Sequence, residues 1–470
     1  MPPISRRSFM KSSAILAGAA TTQHATAATS KPHEIAETGN TLFAGVATRD
    51  ITPGPGVPMW GYGDRPSGAT GTLDPLLATA VVLRVGEFTL AISTMDIGRV
   101  PNVPVQDGIR KRARKAGVDH VIFSASHTHG GPAIEITGPS SDHIHEGIAA
   151  SIEEAASKLA PARIGRGSAT LDIGHNRRRI LDDGRVLMLW RNAERKPTTP
   201  LDQEATLFKI DALDGTAITT LVHFACHPVV LGGDNTEYSA DWVGEMKRVV
   251  REATGAECAF IQGGCGDVNP YLDKTPRDEG GVESMRATGQ AAGYAVLTAL
   301  SGITSSVPKQ PSIQLVRKMV DVGLRWDMKD KKQLDVYRGV YGDRFQLYLD
   351  RMSKKMPVPI TSLLLNGEHG FAFTPGELFS QHQLDLKHRS PLDGALLCGY
   401  ADDFHLYFPT IRDAAAGGYG GSSATYVGLG AGEKLIAEAM KDLGQMTGAL
   451  KDFMGPEEYV FLEEEPDQAE

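Results

Sequence analysis

Short β-like runs alternate with helical patterns from Leu42 to Leu443, and this alternation restricts the fold more than any other feature of the chain. Val, Ile, Phe and Thr gather in Thr79–Val85, Phe88–Ser93, Val121–Ser124, Thr206–Ile210, Ile218–Phe224, Cys258–Ile261, Ile313–Val320, Ser362–Leu365, Phe371–Phe373 and Ala395–Cys398, which predicts strands. Apolar residues at three- and four-residue spacing predict helices over Val105–Ala116, Ile144–Leu159, Trp242–Ala253, Glu283–Leu300, Leu378–His388 and Gly432–Leu443. The expected class is α/β, a mixed sheet core flanked by helices. With 470 residues the chain can bury one large core. The 52 Gly and 27 Pro fit many turns rather than a helical bundle. A net charge of −9 excludes a nucleic-acid partner, which would require clustered Lys and Arg. Past the N-terminus no run of about 18 uncharged apolar residues occurs, so no transmembrane segment is expected once the signal described next is removed.

The N-terminus reads as an address. Ser5-Arg6-Arg7-Ser8-Phe9-Met10-Lys11, an Ala-rich stretch from Ser12 to Thr22 and the small-x-small site Ala25-Thr26-Ala27 form the three parts of a signal peptide. Paired arginines followed by Phe and Lys resemble the twin-arginine export signal, whose cargo crosses folded, so a periplasmic or secreted chain from Ala28 is expected. Residues 28–41 are polar and read as a loose leader, and 448–470 as an acidic tail. In Trp326–Met356, Leu334, Tyr337, Tyr341, Phe345, Tyr348 and Met352 recur at helical spacing, as in a helical hairpin packed on the body or an overhanging lid. Four cysteines are too few to staple a chain of this size; Cys258 and Cys265 either bridge in an exported protein or remain buried thiols.

The densest polar motif is Ser126-His127-Thr128-His129-Gly130-Gly131-Pro132, directly after an apolar run. Histidines at i and i+2 on an extended segment face the same side, and imidazole is a common zinc donor. Phe224-Ala225-Cys226-His227-Pro228 repeats the arrangement, with Ser239-Ala240-Asp241 a little further on, and the proline restrains His227. The run Gln262-Gly263-Gly264-Cys265-Gly266-Asp267-Val268-Asn269-Pro270 lets backbone approach a ligand, or is a simple Gly-rich turn. Glu377, in Thr374-Pro375-Gly376-Glu377, can be a metal ligand, a general base or a charge at a helix N-terminus. Tyr407-Phe408-Pro409-Thr410 and Tyr419 say little alone, and Gly428-Leu429-Gly430-Ala431-Gly432 lacks the preceding strand of a nucleotide loop.

In this order the motifs resemble the neutral/alkaline (non-lysosomal) ceramidase family. Asp50-Ile51-Thr52-Pro53 is similar to that family's opening, Ser126–Pro132 to its His-Thr-His-Ser-Gly-Pro signature with Gly130 where Ser is usual, and the His-Pro, Pro-Gly-Glu and Tyr-Phe-Pro-Thr motifs follow in register. The resemblance covers Leu42 to Leu443, and residues 42–447 are read as the catalytic domain. It implies a Zn2+ site with ligands His127, His227, Glu377 and Tyr407, and contacts to substrate from His129, Arg177 and Tyr419. Two departures stand out: Asn269 occupies the usual serine position, and the family's C-terminal immunoglobulin-like domain has no room after Leu443.

The resemblance therefore implies a zinc-dependent hydrolase of amide bonds, in which metal-activated water attacks an N-acyl carbonyl and no serine is required. Tyr407, Tyr419 or Arg177 would hold the oxyanion and His129 would pass a proton to the leaving amine. The implied substrate is a small-molecule or lipid-like amide. An esterase or lactonase on the same metal is the near rival, since both reactions share a tetrahedral intermediate. A non-catalytic binding protein marked by Asn269 is the distant one, and retention of all four matched ligands argues against it.

Overall fold

The computed structural model describes residues 33–134, 139–327, 329–341 and 355–451. The N-terminal signal, the acidic tail from 452 and, within the Trp326–Met356 stretch, residues 328 and 342–354 lie outside the described residues. In chain order the main strands are β1 (His33–Thr38), β2 (Leu42–Asp50), β3 (Leu77–Val85), β4 (Phe88–Met95), β5 (His120–Ala125), β6 (Ala160–Thr170), β7 (Glu204–Ala212), β8 (Ala217–Phe224), β9 (Glu257–Gln262), β10 (Ser312–Asp321), β11 (Pro357–Leu365), β12 (His369–Phe373) and β13 (Leu396–Cys398). The helices are α1 (Val103–Lys115), α2 (Pro139–Ser157), α3 (Asp241–Thr254), α4 (Gly281–Ser301), α5 (Lys331–Tyr341), α6 (Ser380–Arg389), α7 (Ile411–Ala416) and α8 (Ala431–Met446).

An eight-stranded mixed sheet runs β9-β8-β7-β6-β2-β3-β4-β5, and a five-stranded sheet runs β1-β10-β11-β12-β13. The two lie face to face. Alternate residues show it: Val81, Leu83 and Val85 of β3 join Leu363 and Leu365 of β11 and Phe371 and Phe373 of β12 in one buried cluster. Ala78, Ala80 and Val82 of β3 point the other way, onto Ile148 and Ile152 of α2 and Trp242 and Met246 of α3. The smaller sheet is backed in turn by α6 and α8, where Val358 and Ile360 meet Leu386, Leu435 and Leu443. The result is helices, sheet, sheet, helices. Because both faces of each sheet are covered, the strands read as near-continuous apolar runs, and each fully buried Leu, Ile, Val or Phe contributes roughly 1.5–3 kcal/mol.

Most neighbouring strands are antiparallel, with three parallel exceptions: β4 with β5, β8 with β9 and β12 with β13. Each parallel pair is joined by a helix, respectively α1, α3 and α6. Ligand sites of α/β folds form where the carboxyl ends of parallel strands open. Among the described residues the two sheets have three such ends, and His127, His227 and Glu377 follow them in turn.

All ten expected strands and six expected helices are present, and the expected mixed α/β core flanked by helices is built of two sheets. Within the stretch read as a loose leader, His33–Thr38 form an edge strand paired with β10. The four cysteines, Cys258 and Cys265 included, are free and buried rather than bridged. Of the Trp326–Met356 stretch, Trp326 and Leu334 pack against the outer cluster of the smaller sheet. No helix among the described residues is long and apolar enough to cross a membrane.

Candidate metal centre

His127 enters the site through a kink, not through strand alternation. Strand β5 stops at Ala125, and His127 takes φ 69°, left-handed space that non-glycine residues seldom occupy. This corrects the expectation of an extended His-x-His segment. The conformation is held on both sides: the His127 N–H donates to the Ile97 carbonyl at 3.1 Å and its ring stacks on Tyr400 at 4.1 Å. Strain over-determined in this way is a mark of functional positions. At Gly130 an added Cβ would meet the Ser239 carbonyl oxygen at 2.4 Å, so the serine usual in the resembling motif has no room here.

His227 is clamped harder still. Its backbone N–H and its Nδ1 both reach the Val268 carbonyl at 3.0 Å, while its own carbonyl accepts from the Trp242 indole at 3.1 Å. Asp241 accepts from the N–H groups of Val230 and Leu231 and so shapes the turn after Pro228. Ser239 and Asp241 thus brace the histidine loops. A further brace was not singled out from sequence: the Gln262 amide, at the carboxyl end of β9, donates to the carbonyls of both Ser126 and Cys226 at 2.9 Å. One side chain therefore ties the residue before His127 to the residue before His227. Arg65 does the same for His129, donating to its carbonyl at 2.8 Å and to that of Trp60 at 2.7 Å.

The chemistry of the cluster follows from its tautomers. The His127 Nδ1 lies 2.7 Å from the Gly98 carbonyl and the His227 Nδ1 lies 3.0 Å from that of Val268. A carbonyl only accepts, so both Nδ1 atoms carry the proton and both Nε2 atoms present lone pairs when the rings are neutral. Those lone pairs face a carboxylate: Glu377 Oε2 is 3.2 Å from the His227 Nε2 and 3.4 Å from that of His127. Acceptors are aimed at acceptors in a site where Glu377 is 3% exposed. Burial pushes the Glu377 carboxyl up; a proton carried toward it on the His127 or His227 ring would outweigh that and hold it well below the usual carboxylate range, so the cluster keeps its carboxylate ionised only with positive charge beside it. Burial also pushes His227 down to about 4, which keeps it neutral.

His129 completes the group. Ring nitrogens of His127, His129 and His227 lie within 4.8 Å of one another, inside the reach of one ion. Both His129 ring nitrogens lack a hydrogen-bond partner, as does the His127 Nε2. Neutral imidazoles, an ionised carboxylate and second nitrogens fixed on backbone carbonyls are what a divalent cation requires of its ligands and their support. The donor set fits a metal.

Glu377 precedes α6 rather than capping it, and its short ladder sets it directly opposite Tyr407. The Tyr407 hydroxyl is 3.1 Å from Arg177 Nη2, and the Arg177 guanidinium also donates to Asn269 Oδ1 at 3.0 Å and to the Gly266 carbonyl at 2.7 Å. The Tyr419 ring lies edge-on to that of Tyr407, 5.3 Å between centroids. All eight residues singled out in the sequence thus gather in two adjoining groups: three imidazoles with Glu377, and Arg177 with Asn269, Tyr407 and Tyr419. Burial pushes the Tyr407 hydroxyl well above its ordinary value, so it is a neutral phenol here.

Two solved structures share this architecture. The likeness is to ceramidases. A ceramidase complexed with C2 superposes with a TM-score of 0.68 at 16% identity, covering 88% of this chain and 77% of its own. The neutral ceramidase from Pseudomonas aeruginosa gives 0.66 at 17% identity, covering 87% and 75%. At such identity the match shows a common fold. No protein-family model matches the chain.

Proposed function

We propose that this chain is an exported zinc-dependent hydrolase of amide bonds. One observation carries the reading: the Nε2 atoms of two buried imidazoles and a buried carboxylate oxygen converge, while both Nδ1 atoms are held on backbone carbonyls. The shared architecture with ceramidases supports amide chemistry, and the Arg6-Arg7 motif supports export. His127, His227, Glu377 and Tyr407 are the proposed ligands, with His129 at hand in the same cluster. Zinc in such a site supplies a water of lowered pKa and polarises a carbonyl.

The chain's own residues supply the rest. Arg177 presents a fixed positive charge beside Tyr407, where negative charge develops on an acyl oxygen; preorganised donors of this kind contribute about 3–4 kcal/mol each. Burial first, then the neighbouring imidazoles, hold His129 well below its ordinary pKa, so its ring is neutral and free to take up a proton and pass it to the leaving amine. Asn269 cannot act as a nucleophile, and its amide is already engaged, accepting from Arg177 and donating to Asp273 Oδ2 at 2.8 Å.

The test is a matched set of N-acyl amides and esters assayed with wild type, His127→Ala and Glu377→Ala. The expected outcome is amide hydrolysis by the wild type and none by either variant, with secondary structure intact. Cleavage of the ester alone would shift the reading to an esterase, and full activity in either variant would overturn the site.

A further inference from the structure

Adjacent arginines on one strand end have opposite surroundings. Arg178 is paired with Asp413 at 3.5 Å and donates to the carbonyls of Tyr419, Asp413 and Gly417. Arg177 is just as buried, but its partners are an amide oxygen, a carbonyl and a phenol, all neutral, and its Nε has none. Among the described residues no carboxylate lies within ion-pair distance of it. A buried guanidinium without a counter-ion is destabilising by several kcal/mol, and a site retains one where an anion is to be received.

A second cation stands in front of it. The Lys274 ammonium lies 4.6 Å from the centre of the Trp190 ring, and the Arg177 guanidinium lies 5.0 Å from the same ring. The Lys274 side chain is 40% exposed. The two cations share one carboxylate through a chain of contacts: Arg177 to Asn269, Asn269 to Asp273 Oδ2 at 2.8 Å, and Lys274 to the same Oδ2 at 2.6 Å. Asp273 is the acid in direct contact with this pair of bases, through Lys274, while Glu377 and Asp64 act on them from farther off, so a row of cationic donors runs from half-exposed Lys274 inward to Arg177 and Tyr407. Asn269 makes the arrangement possible, because its amide accepts on one side and donates on the other.

We propose that the amide cleaved here bears an anionic group, a carboxylate a few bonds from the scissile carbonyl, which docks against Lys274 and Arg177 over Trp190. This rests on the amide-hydrolase reading and narrows it to acidic amides.

Two matched pairs test it: N-octanoylglycine against N-octanoylethanolamine, with the anion on the amine side, and N-octylsuccinamic acid against N-octylpentanamide, with the anion on the acyl side. Each is measured as kcat/KM with the wild-type protein and as Kd by calorimetry with Glu377→Gln. In at least one pair the acid is expected to be favoured by about tenfold, the step that one charge-assisted contact provides. That ratio should fall to within about twofold in Lys274→Met, decline with added salt, and return in Lys274→Arg. Ratios near one in both pairs, or a ratio unchanged in Lys274→Met, would overturn the proposal. Equal hydrolysis of acid and neutral amides would remove the anion site and leave the hydrolase standing. Selective binding without hydrolysis by the wild type would support the anion site and remove the hydrolase.

Discussion

Two buried polar groupings hang on the ends of neighbouring strands, and they are built on opposite rules. Asp96, just past β4, is 2.5 Å from the Lys247 ammonium and also accepts from the Leu77 N–H at 3.0 Å. Both side chains are nearly inaccessible, they line a cavity of about 450 Å³, and each charge meets its opposite. The grouping past β5, β8 and β12 is as deeply buried, yet His127 Nε2 and both His129 ring nitrogens lack partners and the carboxylate faces lone pairs. The first is closed on itself and needs nothing. The second is left open, with donors that could hold a cation. The difference separates a polar group that is satisfied within the fold from one that is open to a ligand, at equal burial.

Substitutions can break or sharpen that contrast. The largest effect is expected from His127→Ala or Glu377→Ala: hydrolytic rate falls by at least about a thousandfold, roughly 4 kcal/mol in the barrier, while circular dichroism stays that of the wild type. Next, Lys247→Met leaves the Asp96 carboxylate buried without its counter-ion and should lower unfolding free energy by about 3–5 kcal/mol in denaturant titration. A loss below about 1 kcal/mol would erase the contrast, since the pair would then not be holding the fold.

A third buried group sharpens it through pH. Burial pushes His223 down to about 4, with its Nε2 held 2.7 Å from the Leu397 carbonyl. The unfolded imidazole therefore binds protons that the folded one refuses between pH 6.5 and about 4. Its contribution is fully present above that window and is lost as pH falls through it, by up to about 3 kcal/mol. Asp74 works the other way, because burial pushes its carboxyl up to about 7 and the folded form gains as pH falls toward the ordinary carboxylate range. His223→Gln, which can keep a donor on Leu397, should flatten the acid limb of the stability profile; an unchanged limb would contradict the assignment. The smallest expected effect is at the brace: Gln262→Leu frees the carbonyls of Ser126 and Cys226 and should lower stability by about 2 kcal/mol and kcat by about tenfold.

The fold class, the helices and most strands were legible because apolar periodicity is a local property of the chain. Strands β2 and β6 were not, and the reason is packing. Their Ala and Gly content argues against strand, but at Gly45 an added Cβ would meet the Ala155 carbonyl oxygen at 2.2 Å, so the small residue lets α2 lie close on the sheet. The eight candidate residues were singled out through motif order, whereas the geometry that gathers them was not legible: nothing local announces that His127 takes a left-handed conformation or that Gln262 joins two loops far apart in sequence. Asn269 stood out in the sequence as a departure at the usual serine position, and in the fold it is a bridge between Arg177 and Asp273. The Lys274 ammonium escaped attention because a lone surface lysine carries no signal until Trp190 and Asp273 are beside it.

The most direct test of the account is metal content per folded chain, measured by elemental analysis of protein prepared without chelator, in wild type, His227→Ala and Lys247→Met. The account predicts about one zinc per chain in the wild type and in folded Lys247→Met, and none in His227→Ala. Wild-type protein that is folded but holds no metal, or full retention of zinc by His227→Ala, would contradict it.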